Sequence, residues 1–225
     1  TAPSVTTAAS CDVVHTPELV QSWNLSDNSL GTTLDVPGFL GAQASKVVSV
    51  WKWDAAEQKW AFYSPLLSPQ GNADYATNNG YSLLTSIAPG EGYWVNALEP
   101  VTLPAQSGSA FTLNPFSFEA LPSQWNLLAI NPSTPVAPYQ FNVQMSATPP
   151  SPGVVPQNFI SLWQWDAERS KWWFYSPLLE FSGGLPAVTN YAYTNGLQDF
   201  ECLAHLQRPA DCVPRRLGLG EGFWV

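Results

Sequence analysis

The chain has 225 residues, of which 45% are hydrophobic and 11% are charged, and its formal net charge is −9. This length and hydrophobic content suffice to bury a core, which argues against disorder. The acidic balance argues against nucleic acid or an anionic membrane surface as partner, because either would need a basic patch.

The first ten residues, TAPSVTTAAS, are small and polar, as expected just after a cleaved signal peptide. No apolar run in the sequence approaches the roughly 20 residues of a membrane-spanning helix. The low charge is typical of secreted β proteins, whose solubility comes from Ser, Thr, Asn and Gln. We therefore expect a secreted or cell-surface protein with no membrane span.

Four sequence blocks occur twice, in the same order. The pairs are SWNL (22–25) with QWNL (124–127), SVWKWDAAEQKWAFYSP (49–65) with SLWQWDAERSKWWFYSP (161–177), YATNNG (75–80) with YAYTNG (191–196), and GEGYWV (90–95) with GEGFWV (220–225). This agreement indicates a tandem duplication. It predicts an N-terminal segment (1–18), a first repeat (19–108) and a second repeat (109–225).

Local patterns within the first copy predict mostly β structure. SVWKWD alternates with a period of two and KWAFYS continues the pattern after the turn AAEQ, so the two segments form a hairpin. NADYATNNG has the features of a short helix or turn that ends at Gly80. GYWVNA and VTLPA are a further strand pair. We expect two tandem copies of a small barrel- or sandwich-like β module with few short helices.

The second copy carries an insertion, 197–219, that contains Cys202, His205 and Cys212. A disulfide between the two cysteines would limit the entropy of this loop. Cys11 would then be free or paired with another chain, and the alternative is a bond between Cys11 and one of the two.

The second copy also ends at Val225, with no counterpart of NALEPVTLPA after its GEGFWV block. A missing strand would leave an open sheet edge. The N-terminal stretch CDVVHTPELV could cover this edge, or a strand of a neighbouring molecule could do so, which would lead to self-association.

The tryptophans have two interpretations. Trp51 and Trp53 share one face of a strand, as do Trp163 and Trp165, and such a row could stack against sugar rings. The other interpretation is that they fill the core of a small module. Because they recur in both copies, the sequence favours the core.

Within the matching blocks, two positions are aromatic in the second copy only. Trp173 stands where the first copy has Ala61, and Tyr193 stands where it has Thr77. Since the shared fold does not require them, we expect both side chains to be exposed and to bind ligand.

Carboxylates recur in both copies, at Glu91 and Glu221 in the GEG segments and at Asp54 and Asp166 in the WD segments. A pair of carboxylates could hydrolyse glycosidic bonds. However, two equivalent active sites in a duplication would be unusual, so we expect the glutamates to fix tight turns instead.

The two histidines, His15 and His205, lie outside the repeated blocks. Together with a thiolate they could bind copper or zinc, but no metal-ligand spacing supports such a site. No nucleophile motif or phosphate loop is present. Exposed loop histidines are expected, and no cofactor.

The segments SWNL, VWKWDAAEQKWAFYSP and GEGYWVNA resemble a tryptophan-rich tandem repeat of bacterial secreted and cell-surface proteins. The resemblance covers nearly the whole chain, once per copy. In those proteins the repeat often lies beside immunoglobulin-like or other adhesive modules. The resemblance therefore implies an extracellular location and transfers no activity to any residue.

These observations predict a secreted, non-catalytic binding or structural module that contacts polysaccharide or assembles with other extracellular proteins. Trp173, Tyr193 and the insertion 197–219 would carry recognition. The alternatives are a glycan-active hydrolase that uses the paired carboxylates and a small metal-binding secreted protein that uses the histidines.

Overall fold

The computed structural model describes residues 12–130, 135–202 and 214–225. The strands are β1 (Val13–His15), β2 (Glu18–Leu19), β3 (Ser22–Asp27), β4 (Leu34–Asp35), β5 (Val47–Asp54), β6 (Lys59–Tyr63), β7 (Ser82–Leu83), β8 (Ser86–Ile87), β9 (Gly92–Ala97), β10 (Val101–Thr102), β11 (Gln106–Gly108), β12 (Leu127–Leu128), β13 (Leu162–Asp166), β14 (Lys171–Tyr175), β15 (Gln198–Asp199) and β16 (Phe223–Trp224). The helices are α1 (Val36–Leu40), a 3-10 helix (Gly41–Lys46), α2 (Pro69–Asn78), α3 (Pro115–Glu119), α4 (Pro138–Gln144) and α5 (Pro177–Thr194).

Two five-stranded sheets dominate the fold, and their strands follow equivalent orders. The first sheet runs β3-β9-β5-β6-β7 and the second runs β12-β16-β13-β14-β15. In each sheet the last pairing is parallel and is reached through a helix, α2 or α5. The expected sheet-rich fold is confirmed, but neither sheet closes into a barrel within the described residues.

The predicted hairpin is formed by β5 and β6, which pair antiparallel with Trp53 opposite Trp60. Its turn is held by the carboxylate of Asp54, which accepts hydrogen bonds from the backbone N–H groups of Ala56 and Glu57, each at 3.0 Å. An aspartate that closes a turn onto the following N–H groups is a common local device.

The predicted helix near Gly80 is α2. The hydroxyl of Ser68 caps its start by accepting the N–H of Gly71 at 3.0 Å, and Pro69 occupies the first turn. Just after its end, Gly80 adopts φ +75°, which a glycine adopts without strain.

Each sheet packs one face against its own hydrophobic core, and the two cores use different parts of the chain. In the first sheet, Val50, Ala61 and Val95 lie on this face, covered by residues of α1. Among the described residues, the first core includes no tryptophan. The second core contains Trp173, and Trp163 packs at its margin.

The expected pairing of GYWVNA with VTLPA is wrong. β9 lies between β3 and β5, whereas β10 pairs with β2 and β11 pairs with β1 in two separate ribbons. The segment that follows GYWVNA is therefore not a strand of the five-stranded sheet. The second copy lacks no strand of that sheet, so the premise of a missing edge strand is also wrong.

Parts of the predicted insertion fall outside the described residues. Cys202 is buried at the end of a described segment, whereas His205, Cys212 and Cys11 lie outside. The disulfide pairing therefore stays a prediction. None of the described helices combines the length and the apolar character needed to cross a membrane.

Candidate functional site

Tryptophans cover the face of each sheet opposite to its core. Because side chains alternate along a strand, Val50 points into the core and its neighbour Trp51 to the other face. Trp51 stands opposite Trp94 on one neighbouring strand, and Trp53 stands opposite Trp60 on the other. The second sheet repeats this register, with Trp163 opposite Trp224 and Trp165 opposite Trp172.

Ring contacts within the two halves are nearly identical. Here the first half denotes residues 12–108 and the second half residues 109–225. The rings of Trp23 and Trp94 lie 6.2 Å apart at 84°, and those of Trp125 and Trp224 lie 6.2 Å apart at 87°. Such edge-to-face pairs are the preferred geometry of aromatic contacts.

The two tryptophan faces meet each other through reciprocal contacts. Trp60 contacts Trp224 at 5.9 Å, and the equivalent contact of Trp172 with Trp94 is 5.8 Å. The two halves are thus related by an approximate two-fold axis that passes through the aromatic cluster.

Hydrogen bonds across this junction are reciprocal as well. The indole Nε1–H of Trp53 donates to the carbonyl oxygen of Trp125 at 3.0 Å. The Nε1–H of Trp165 donates to the carbonyl oxygen of Trp23 at 2.9 Å. The tryptophan at this position of each repeat therefore makes the same hydrogen bond to the other half.

The second glycine of each GEG segment allows the halves to approach closely. A Cβ at Gly92 would lie 2.8 Å from Leu127 Cγ, and a Cβ at Gly222 would collide with the carbonyl oxygen of Ser26. The first glycines, Gly90 and Gly220, have φ of +86° and +77°. The repeated GEG motif thus combines a turn with a contact between the halves.

Two adjoining grooves lie on this tryptophan surface, with volumes of about 440 and 600 Å³. Ten of the eleven tryptophans line them, and Trp60, Trp172 and Trp224 line both. Trp23 and Trp125 are the most open, 40% and 48% exposed. We call this surface the tryptophan cleft: Trp23, Trp51, Trp53, Trp60, Trp94, Trp125, Trp163, Trp165, Trp172 and Trp224.

The cleft offers hydrogen-bond donors but almost no acceptors. Besides the two inter-half bonds, the indole N–H groups of Trp51 and Trp163 donate to Ser49 and Ser161, each at 2.9 Å. The other six indole N–H groups have no acceptor among the described residues: Trp23, Trp60, Trp94, Trp125, Trp172 and Trp224. The only other side chain of the described residues that lines a groove is that of Tyr81.

The expectation that the shared tryptophans fill the cores is therefore wrong. Aliphatic residues at the alternate strand positions, such as Val50 and Val95, already fill the first core. The signal was present in the sequence, because this strand carries apolar residues on both faces, Val50 on one and Trp51 and Trp53 on the other. A strand with two apolar faces must cover something besides its core.

The predicted exposure of Trp173 is also wrong. It is 8% exposed and contacts Phe200 at 5.6 Å in the second core, because its strand position points to the face that Ala61 occupies in the first half. Tyr193 is 64% exposed, as expected, but it does not line the cleft. Its role in ligand binding stays a prediction.

The two GEG glutamates hold turns and ion pairs. Glu91 accepts the N–H of Ala88 at 2.6 Å and receives Lys52 Nζ at 2.8 and 2.9 Å. Glu221 instead receives Gln164 Nε2 at 3.2 Å and forms an ion pair with Arg215. The second half thus has Gln164 where the first half has Lys52, and Arg215, from a different segment, supplies the cation.

The second pair of carboxylates also serves turns. Asp166 accepts hydrogen bonds from Gln198 and from the backbone and side chain of Arg169. Partial burial raises the pKa of Asp166, but these hydrogen bonds outweigh burial and hold the pKa below its ordinary value. Neither Asp54 nor Asp166 lines the tryptophan cleft.

His15 packs against Gly220, and its burial lowers the pKa of the imidazole. His205, its predicted partner in a metal site, lies outside the described residues. The described residues hold no group of three His, Cys, Asp or Glu side chains arranged to bind a metal ion.

Asp27 is a functional candidate that sequence reasoning missed. It is fully buried at the junction of the halves, where Ser29 donates to it and the backbone N–H groups of Ile130 and Gly220 approach it. Burial raises its pKa to about 7. The equivalent residue of the second copy is Ala129, so the repeat itself gave no signal.

Comparison with protein-family models, with curated proteins and with solved structures found no match to this chain.

Proposed function

We propose that this chain is a non-catalytic binding module and that the tryptophan cleft is its ligand-binding surface. The observation that carries this proposal is the exposure of tryptophans from both halves in two adjoining grooves. Large apolar side chains left open to solvent in one contiguous patch commonly mark a site of interaction.

The two-fold relation supports a module built by tandem duplication. The same residues of each repeat form the sheet, the indole bonds across the junction and the cleft. A cleft that forms only where two copies meet gives the duplication a functional reason.

The cleft chemistry supports a non-catalytic role. Its lining among the described residues contains no carboxylate, histidine, cysteine or lysine that could act as nucleophile or general acid and base. The four recurring carboxylates are all engaged in turns or ion pairs. The low content of charged residues supports a secreted or cell-surface location.

Intrinsic tryptophan fluorescence tests this proposal directly, because the reporter groups form the site. We expect at least one probe among cellohexaose, chitohexaose and decaproline to change the emission of the full chain without being cleaved. Trp172→Ala should weaken that binding at least tenfold, whereas Phe181→Ala, at an exposed residue outside the cleft, should leave it unchanged. Binding that is insensitive to Trp172→Ala, or no binding by any probe, would contradict the proposal.

A further inference from the structure

We propose that the ligand of the tryptophan cleft is a proline-rich segment of a partner protein, bound in the polyproline II conformation. This inference rests on the proposed binding function and goes beyond it by naming the chemistry of the partner. Three properties of the cleft lead to it: the orientation of its rings, its hydrogen-bonding groups and its lack of charge.

The rings of the cleft form ridges and not a flat platform. Contacting tryptophan pairs have interplanar angles between 56° and 89°. A row of sugar rings stacks best on coplanar indoles, and none of these contacting pairs is coplanar. Ridges of aromatic rings instead accept the pyrrolidine rings of a polyproline II helix between them.

The hydrogen-bonding groups favour proline more strongly. Six indole N–H donors of the cleft have no acceptor among the described residues, and Tyr81 adds a single hydroxyl. Each sugar hydroxyl is a donor as well as an acceptor, so a bound sugar would leave its donors unpaired. Proline has a backbone carbonyl that can accept from these indole N–H groups, its ring is apolar like most of the lining, and it has no N–H that would be left unpaired.

The electrostatics agree with a neutral segment. No charged side chain of the described residues lines either groove. The net charge of −9 disfavours acidic polymers. A cationic ligand would be attracted by the net charge and by the indole faces, but the described lining offers no carboxylate to form an ion pair with it. A proline-rich segment meets neither obstacle.

Titration of the full chain with decaproline, followed by tryptophan fluorescence and calorimetry, tests this inference. Decaproline in the polyproline II form is about 31 Å long. A (Gly-Ser)5 peptide serves as control for a flexible chain, and cellohexaose serves as the sugar arm. We expect saturable binding of decaproline and none of (Gly-Ser)5.

Two tryptophan variants separate ring contact from hydrogen bonding. Trp60→Phe and Trp224→Phe retain an aromatic ring but lose a free N–H, and each should weaken decaproline binding about fivefold. Trp173→Phe makes the same change in the second core, outside the cleft, and should leave the affinity unchanged. Circular dichroism of each variant verifies that it is folded.

The outcomes distinguish this inference from the proposed function. Binding of cellohexaose without binding of decaproline would overturn the inference and leave the binding function standing. Decaproline binding that is equal in wild type and in both cleft variants would overturn the assignment to the cleft. Binding of no probe would overturn both.

Discussion

Asp27, buried at the junction of the two halves, makes the stability of the folded protein depend on pH. Its carboxyl is fully buried, and burial raises its pKa from 3.8 to about 7, with the hydrogen bond from Ser29 opposing the shift. A folded-state pKa above the unfolded value means that the folded state binds the proton more tightly. The contribution of Asp27 to stability is therefore complete below about pH 4 and is lost as the pH rises through 7.

Asp27→Asn should remove this loss. Relative to wild type, the variant should gain up to about 4 kcal/mol in the free energy of unfolding between pH 4 and pH 8. The comparison with wild type is essential, because burial also raises the pKa of Glu221 and lowers that of His15. The charge of Glu221 also raises the pKa of Asp27, so its contribution belongs to the same effect, whereas His15 is unchanged in the variant.

Urea denaturation across this pH range measures the effect. Asp74→Asn, at an exposed residue of α2, is the matched control for the loss of one carboxylate and should not reproduce the effect of Asp27→Asn. Parallel stability curves for wild type and Asp27→Asn would contradict the assigned protonation.

At the scale of elements, features encoded by neighbouring residues could be predicted from the sequence. The β5–β6 hairpin follows from alternation and the end of α2 from Gly80, both of which act within a few residues. The partner of β10 could not be predicted, because the choice between β9 and β2 depends on tertiary packing. The second glycine of GEG was likewise unexplained until the other half was in place.

Gly222→Ala tests that contact. The added Cβ would collide with the backbone of Ser26 in the other half, so we expect a loss of about 3 kcal/mol or more in the free energy of unfolding. Gly80→Ala is the matched control: its φ is +75° but nothing lies within 4 Å of the added Cβ, so only conformational strain of about 1 kcal/mol should result.

Chemical denaturation of both variants provides the measurement. Equal losses for the two substitutions would mean that GEG serves the turn alone and does not hold the halves together.

For the whole molecule, the repeated blocks were evident in the sequence, but the cleft was not. Alternation placed Trp51 and Trp53 on one face, yet it could not show that this face meets its copy in the second half. The reciprocal contacts of Trp60 with Trp224 and of Trp94 with Trp172 arise only in the assembled chain. Trp173 misled sequence reasoning for the same reason, since a residue unique to one copy can fill that copy's core.

Hydroxyl-radical footprinting, read for each tryptophan by mass spectrometry, tests the central claim most directly. If the tryptophans form an open cleft, Trp23 and Trp125 should be oxidised fastest and Trp173 should stay protected. Saturating decaproline should then protect cleft tryptophans of both halves together. Oxidation of Trp23 and Trp125 in the free protein that is no faster than oxidation of Trp173 would contradict the cleft.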